Sequence, residues 1–123
     1  MNWTTDLVIL VMVALAYSIM KRAGQISRTN ALTHLKDGAL VVDVRSAAEF
    51  SSGHLPNAVN LPLDEIETTL PRRVKDTNQV LLLHCQSGMR SGAAKTKLKR
   101  LGYSNAFNLG SYARAAQIVG PKL

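Results

Sequence analysis

The chain has 123 residues, 46% of them hydrophobic, and its 15 lysines and arginines against 8 acids give a net charge of +7. This length favours one domain with a modest core over two domains. All the lysines and arginines lie at position 21 or later, and no acid follows Asp76. Such a positive field favours anionic small molecules or anionic lipid as partners. The low aromatic content and the lack of a zinc-ligand pattern exclude a nucleic-acid partner. No metal or cofactor is predicted.

The N-terminal segment is predicted to be a membrane anchor, residues 1–22. Residues 7–20 (LVILVMVALAYSIM) form an apolar run, with Trp3 before it and Lys21 and Arg22 after it. A helix from Trp3 to position 20 spans about 27 Å, close to a hydrocarbon core of roughly 30 Å. The cations then place the following domain in the cytoplasm. Two alternatives are a cleaved signal, which would leave the domain periplasmic, and a buried core helix; Asp6 and the absence of an early cation disfavour the signal.

Residues 25–123 are predicted to form one α/β domain, because strand-like and helix-like stretches alternate along them. The expected sheet is mainly parallel and five-stranded, with strands at 25–26, 39–43, 58–60, 80–84 and 106–109. The second and fourth strands are continuous apolar runs, typical of strands covered on both faces. Helices are expected at 29–36, after a capping box at Ser46 and Glu49, at about 64–71, at 90–101 and at 111–119.

Cys85 is the only cysteine, so it forms no internal disulfide and is either an inert buried thiol or a reactive one. It follows the strand at 80–84, and ligands of open α/β sheets bind at the carboxyl ends of strands. The next residues can curl so that their N–H groups and the start of a helix point at one spot, a nest for an anion: Gln86, Ser87, Gly88, Met89 and Arg90. Gly88 permits a positive φ in this curl. The pattern therefore predicts a Cys85 thiolate that is largely ionised at neutral pH.

The histidines are predicted to be structural. His84 precedes Cys85 in a strand, where successive side chains point to opposite faces, so its ring should point away from the sulfur. His34 lies on an amphipathic helix and should face solvent. With no base beside Cys85, the loop's own dipoles must activate the thiol.

Two stretches, VVDVRSAAEFSSGHLPNAVNLPL and HCQSGMRS, resemble the rhodanese family of sulfurtransferases, specifically its small single-domain members, some of which carry a membrane segment. The resemblance covers 26–119 and implies a rhodanese-like three-layer fold. It also implies that Cys85 is catalytic: it takes a sulfane sulfur from a donor such as thiosulfate, holds it as a persulfide, and passes it to cyanide or a thiol. Loop amides of residues 86–90 would stabilise the sulfur anions, and Arg90 would steer the anionic donor.

The first of these stretches is expected to support the site. Its polar residues should form a hydrogen-bonded network that fixes the turn beside the loop, with Arg45 also at the pocket mouth: Asp43, Arg45, Glu49 and His54. At the C-terminal end the chain departs from the family, because NLGSYARAAQI replaces the commoner glycine pair followed by tryptophan. Tyr112 or Ile118 is expected to fill the space of the missing aromatic ring.

Two other functions remain open. A cysteine phosphatase or arsenate reductase uses an HC-x5-R loop, but here four residues separate Cys85 from Arg90, and no acid suited to proton donation follows. A membrane-tethered module that binds or senses without catalysis is the second alternative, and the presence of Cys85 disfavours it.

Overall fold

A computed structural model describes residues 2–120, including all their side chains except those of 21–23. A long N-terminal helix, α1 (Trp3–Ala23), precedes an α/β domain. The strands of the domain are β1 (Leu40–Asp43), β2 (Val59–Asn60), β3 (Leu81–His84) and β4 (Ala106–Gly110). The helices are α2 (Arg28–Lys36), α3 (Ala47–Ser51), α4 (Ile66–Arg73), α5 (Met89–Arg100) and α6 (Tyr112–Val119), and a 3₁₀ turn (Leu63–Glu65) leads into α4.

The sheet is parallel throughout, in the order β2-β1-β3-β4. Because side chains alternate along a strand, each central strand buries residues on both faces. Val42 and Leu83 pack with Leu98 and the residues of α4 in one core cluster. Val41 and Leu82 belong to a second cluster, with Ala31 and Ile118 among other residues of α2 and α6. The domain therefore has three layers, with the sheet in the middle.

The sheet has four strands rather than the five that the sequence predicts. Residues 25–26 make only one parallel bridge, between Gln25 and Asn108, and it includes the bond from Ile26 N to Asn108 O (2.9 Å). Pairing stops there because Ser27 is already the N-cap of α2, where its side chain accepts from the amide of Asn30. Helix α2 then begins at Arg28, so the chain leaves the sheet after a single bridge.

The helix ends differ from the prediction at α4. This helix continues past Pro71 to Arg73 instead of ending at the proline. Leu70 is fully buried, and its carbonyl accepts from the amide of Val74 at 2.8 Å, so the last turn is held despite the missing proline donor. The capping box before α3 is present, with Ser46 and Glu49 bonding each other's backbone amides.

Helix α1 projects its apolar side chains outward. The window Trp3–Met20 has a mean hydropathy of 1.8, none of it is buried, and no other described helix is long and apolar enough to cross a membrane. The alternative of a buried core helix is therefore wrong. Length and apolar composition are shared by membrane spans and signal sequences.

Candidate active site

Cys85 lies directly after β3, at the carboxyl end of the sheet. Its amide donates to the carbonyl of Gly110 at 3.3 Å, which ties the start of the loop to the end of β4. Beyond it the chain turns sharply at Gly88, whose φ of 96° is in the left-handed region that glycine adopts without strain. Helix α5 then begins at Met89.

The loop directs hydrogen-bond donors at the sulfur. The amide of Gly88 donates to Cys85 Sγ at 3.0 Å, and the hydroxyl of Ser91 lies 3.6 Å from it. The backbone amides of Ser87 and Ser91 also favour the thiolate. Burial by itself raises the pKa of the Cys85 thiol, but these hydrogen bonds outweigh it and hold the pKa below its ordinary value. The arrangement stabilises an anion on sulfur.

The residues of the loop differ in what they do. Of the five residues predicted to surround the sulfur, Ser87 and Gly88 supply amides to it. The backbone carbonyl of Gln86 instead accepts from the backbone amide of Tyr112 at 3.3 Å. Met89 directs its side chain outward and is 57% exposed. Cys85 itself has no exposed surface and packs within the first core cluster, so solvent reaches only the outer side of the loop.

Asn108 of β4 fixes the loop from behind, and sequence reasoning missed it. Its Oδ1 accepts from the Ser91 hydroxyl (2.7 Å) and from the amide of Gly110 (2.9 Å), while its Nδ2 donates to the carbonyl of Gly88 (3.1 Å). The residue is buried. A buried polar side chain needs hydrogen-bond partners. The asparagine inside the otherwise apolar strand at 106–109 is therefore the sequence feature from which this role could have been predicted.

Arg90 does not fold back onto the sulfur. Its guanidinium donates twice to the carboxylate of Glu49, at 2.7 and 2.9 Å. This ion pair holds the pKa of Glu49 at about 2, helped by the amide of Ser46, and raises that of Arg90. Glu49 therefore both caps α3 and joins it to the start of α5.

The expected network of Asp43, Arg45, Glu49 and His54 is two separate groups. In the first, Arg45 binds Asp43 with its Nε and Nη2 and also donates to the carbonyl of Gly53 at 2.8 Å. Glu49 belongs to the second group, with Arg90. His54 is in neither, because its exposed ring stacks on Phe50 and bonds the carbonyl of that residue. The prediction of one hydrogen-bonded network is therefore wrong, because Glu49 takes Arg90 as its partner and His54 takes Phe50.

His84 is fully buried beside Asp43. Its Nδ1 lies 3.3 Å from the carbonyl oxygen of Cys85, and its Nε2 lies 3.6 Å from Asp43 Oδ2. Burial lowers the pKa of His84, against the raising effect of Asp43. The lowered pKa favours the neutral ring, whose Nδ1 lies against the backbone of Cys85. His34 is half-buried and stacks on Phe107, so it does not simply face solvent.

Near the C-terminal end, Ile118 and Tyr112 lie at different positions on α6. Ile118 is buried in the second core cluster. The rings of Tyr112 and His84 meet edge to face, with their centres 5.8 Å apart. The guanidinium carbon of Arg45 lies 4.7 Å from the centre of the Tyr112 ring. Arg45 is almost fully buried, with Asp43 and the carbonyl of Gly53 as its partners, rather than at an open pocket mouth.

Within residues 2–120, no three or more His, Cys, Asp and Glu side chains come together in a group that could hold a metal ion.

Known proteins resemble the chain in sequence and in structure. The thiosulfate sulfurtransferase PspE of Escherichia coli K12 is 33% identical over 69 residues, and a sulfurtransferase of Allochromatium vinosum is 36% identical over 73. These matches cover 56% and 59% of this chain and 66% of each relative, just under two thirds of its length. Among solved structures, a rhodanese with anions from E. coli has a TM-score of 0.60 at 30% identity, covering 63% of this chain and 91% of that one. The human single-domain sulfurtransferase TSTD1 has a TM-score of 0.64 at 26% identity, covering 76% and 96%.

A family model described as the rhodanese-like domain matches residues 27–114. That range holds the whole sheet, the reactive loop and its supporting residues. The chain belongs to the rhodanese-like domain family.

Proposed function

We propose that this protein is a rhodanese-type sulfurtransferase in which Cys85 carries the sulfur. The thiolate attacks the outer sulfur of thiosulfate or a similar donor; a new S–S bond forms on Cys85, and the bond to sulfite breaks, so that sulfite leaves with the electron pair. A thiol or cyanide then attacks the outer sulfur of the persulfide, and the Cys85 thiolate returns. The observation that carries the proposal is the set of donors around the sulfur, with Gly88 N at 3.0 Å.

The loop residues have distinct roles in this reaction. The amides of Ser87, Gly88 and Ser91 stabilise the attacking thiolate, and after transfer they stabilise the persulfide anion. Gln86, Met89 and Arg90 surround the approach to the sulfur and bind the donor. Since the buried sulfur has no exposed surface, the loop must open for the donor to enter.

The Arg90–Glu49 pair sets the charge at this approach. Asp43, Arg45 and His84 support the chain on the other side of Cys85, and His54 has no part in the site. Arg90 attracts the anionic donor. Glu49 orients the guanidinium of Arg90 and partly neutralises its charge.

The test is sulfur transfer from thiosulfate to cyanide by the full chain in detergent, beside a Cys85→Ser variant. We expect ping-pong kinetics, and mass spectrometry after incubation with thiosulfate should show one added sulfur atom on Cys85. The Ser variant should neither gain the sulfur nor turn over. A wild-type chain that gains no sulfur under these conditions would refute the proposal.

The burial of Cys85 favours a second function, a non-catalytic binding or sensing module that keeps the same fold. In that case the thiol would stay unmodified by thiosulfate, and Cys85→Ser would leave ligand binding unchanged. The mass spectrum therefore separates the two functions directly.

We also propose that residues 1–22 anchor the catalytic domain, residues 25–123, to a membrane, with the domain in the cytoplasm. The apolar, unburied window Trp3–Met20 of α1 and the two cations that follow it in the sequence, Lys21 and Arg22, support this arrangement. Flotation of the expressed chain with membranes and its intact mass test it: a mass lacking the N-terminal segment would show a cleaved signal and a periplasmic domain instead.

A further inference from the structure

Given α1 in a bilayer, as proposed above, we infer that the domain docks onto an anionic lipid surface with its reactive loop facing the headgroups. The docking face comprises the exposed loop residue Met89 and the residues that follow it on the same side of α5: Gly92, Lys95, Thr96 and Lys99.

The first support is the way in which the chain leaves α1. Helix α1 ends at Ala23, and by Gln25 the backbone is already bridged to Asn108 of β4. Ile26 is bound on both sides, since its amide donates to Asn108 O (2.9 Å) and its carbonyl accepts from Arg114 (2.6 Å). Two residues span at most about 7 Å, so the end of the membrane helix stays close to a fixed point on the domain.

That fixed point is the back of the reactive loop. The carboxamide Nε2 of Gln25 lies 3.4 Å from the position that a Cβ on Gly88 would occupy, and 3.0 Å from the corresponding position on Gly110. Gly88 is the residue whose amide binds Cys85 Sγ. The tether therefore brings the loop, rather than the opposite end of the sheet, to the membrane.

The surface beside the tether, residues 23–25, also places the start of α5 next to the end of α1. A cavity of about 320 Å³ is lined by Met20 and Gly24 on one side, and by Gly88, Met89, Gly92, Lys95, Thr96 and Asn108 on the other. The first two turns of α5 therefore face the C-terminal end of α1, where that helix leaves the membrane. Residues three and four apart share a helix face, so Met89, Gly92, Lys95, Thr96 and Lys99 extend along this side.

The chemistry of the face suits anionic lipid. Met89 offers an exposed apolar side chain beside two lysines one helical turn apart. Within residues 2–120 neither Lys95 nor Lys99 has an acidic partner, whereas Lys97 lies 3.5 Å from Glu67. No acid follows Asp76 in the sequence to supply the missing charge. Anionic headgroups supply it, and an apolar side chain flanked by lysines is typical of segments that lie on such a surface.

The test places a fluorophore on the full chain in nanodiscs. In a Cys85→Ser background, Met89→Cys or Thr77→Cys carries an environment-sensitive dye, and lipids with a spin-labelled headgroup quench it. Thr77 is the matched control, because it is exposed in the turn before β3, at the opposite end of the sheet. We expect several-fold stronger quenching at position 89 than at 77 in discs containing phosphatidylglycerol, and a reduced difference in discs of phosphatidylcholine alone.

A second variant isolates the charge. Lys95→Glu with Lys99→Glu should abolish the excess quenching at position 89 while the protein still floats with membranes. Equal quenching at the two positions in a protein that floats would overturn the docking and leave the anchor standing. Loss of flotation would overturn both the anchor and the docking, and it would leave sulfur transfer by Cys85 to be judged by its own assay.

Discussion

Asn108 connects the reactive loop and the first turn of α5 to the end of β4. Its replacement by alanine is the sharpest test of how the loop is held. The carboxamide makes three hydrogen bonds inside the protein, to Ser91, Gly110 and Gly88. After truncation, the Gly88 carbonyl still accepts from Gly92, and the Ser91 hydroxyl still reaches the Gly88 carbonyl at 3.1 Å. The buried amide of Gly110 loses the acceptor that Asn108 provides.

These contacts set the magnitude. An ordinary hydrogen bond contributes about 0.5–1.5 kcal/mol net, and a buried donor left without a partner costs about 1–3 kcal/mol. With two bonds partly replaced and one donor abandoned, Asn108→Ala should lower the free energy of unfolding by about 2–4 kcal/mol, a large share of the roughly 5–15 kcal/mol of a typical domain. Sulfur transfer should fall as well, because the donors around Cys85 are no longer held in place.

Urea unfolding followed by circular dichroism measures the change, with Asn105→Ala as the matched control. Asn105 makes one exposed bond, to the carbonyl of Asn78 at 2.8 Å, so its truncation should cost under about 1 kcal/mol. If Asn108→Ala unfolds at the same urea concentration as Asn105→Ala, the carboxamide does not hold the loop and the reasoning fails.

Three further predictions concern the loop itself. The rate of Cys85 alkylation should rise with pH through an apparent pKa below the value of about 8.5 for a free thiol, and Ser91→Ala should move this profile to higher pH because one donor to the thiolate is lost; an unchanged profile would count against the hydroxyl. Glu49→Gln should lower the KM for thiosulfate at pH 7, since it leaves the charge of Arg90 uncompensated, and salt should weaken the effect; a raised KM would contradict this assignment. Gly88→Ala should lower the free energy of unfolding by about 1–3 kcal/mol in a urea titration, because its φ of 96° is costly for alanine; a neutral result would show that the turn relaxes.

The Gly88 experiment has a control within the chain. Gly92→Ala lies in α5 with an ordinary φ, where alanine is the better helix former, so it should not destabilise. For Glu49, the sign follows from its lowered pKa. The folded state stabilises the carboxylate above its ordinary pKa of 4.5, and this stabilisation is lost only as the pH falls toward about 2. Because the folded-state pKa of Glu49 is about 2, its carboxylate stays ionised down to about pH 3, and the KM difference should persist at every pH above that.

The sequence predicted much of the fold because its signals are local. The continuous apolar runs of β1 and β3, the capping box at Ser46 and the glycine in the loop after Cys85 each depend on residues within a few positions of one another. The prediction of a fifth strand was wrong for a local reason as well: α2 begins at Arg28, directly after its cap Ser27, and Gln25 makes only one bridge before it.

What the sequence determined by itself is that a lone cysteine stands at the carboxyl end of a buried strand, in a loop whose backbone can surround an anion. What only the tertiary structure decided is which partners complete the site. Arg90 meets Glu49 across 41 positions, and Asn108 reaches the loop because β4 lies beside β3. Such contacts depend on strand order and on the direction in which each helix turns its side chains. Neither is encoded in the spacing of neighbouring residues, and both follow from burying the two faces of the sheet at once.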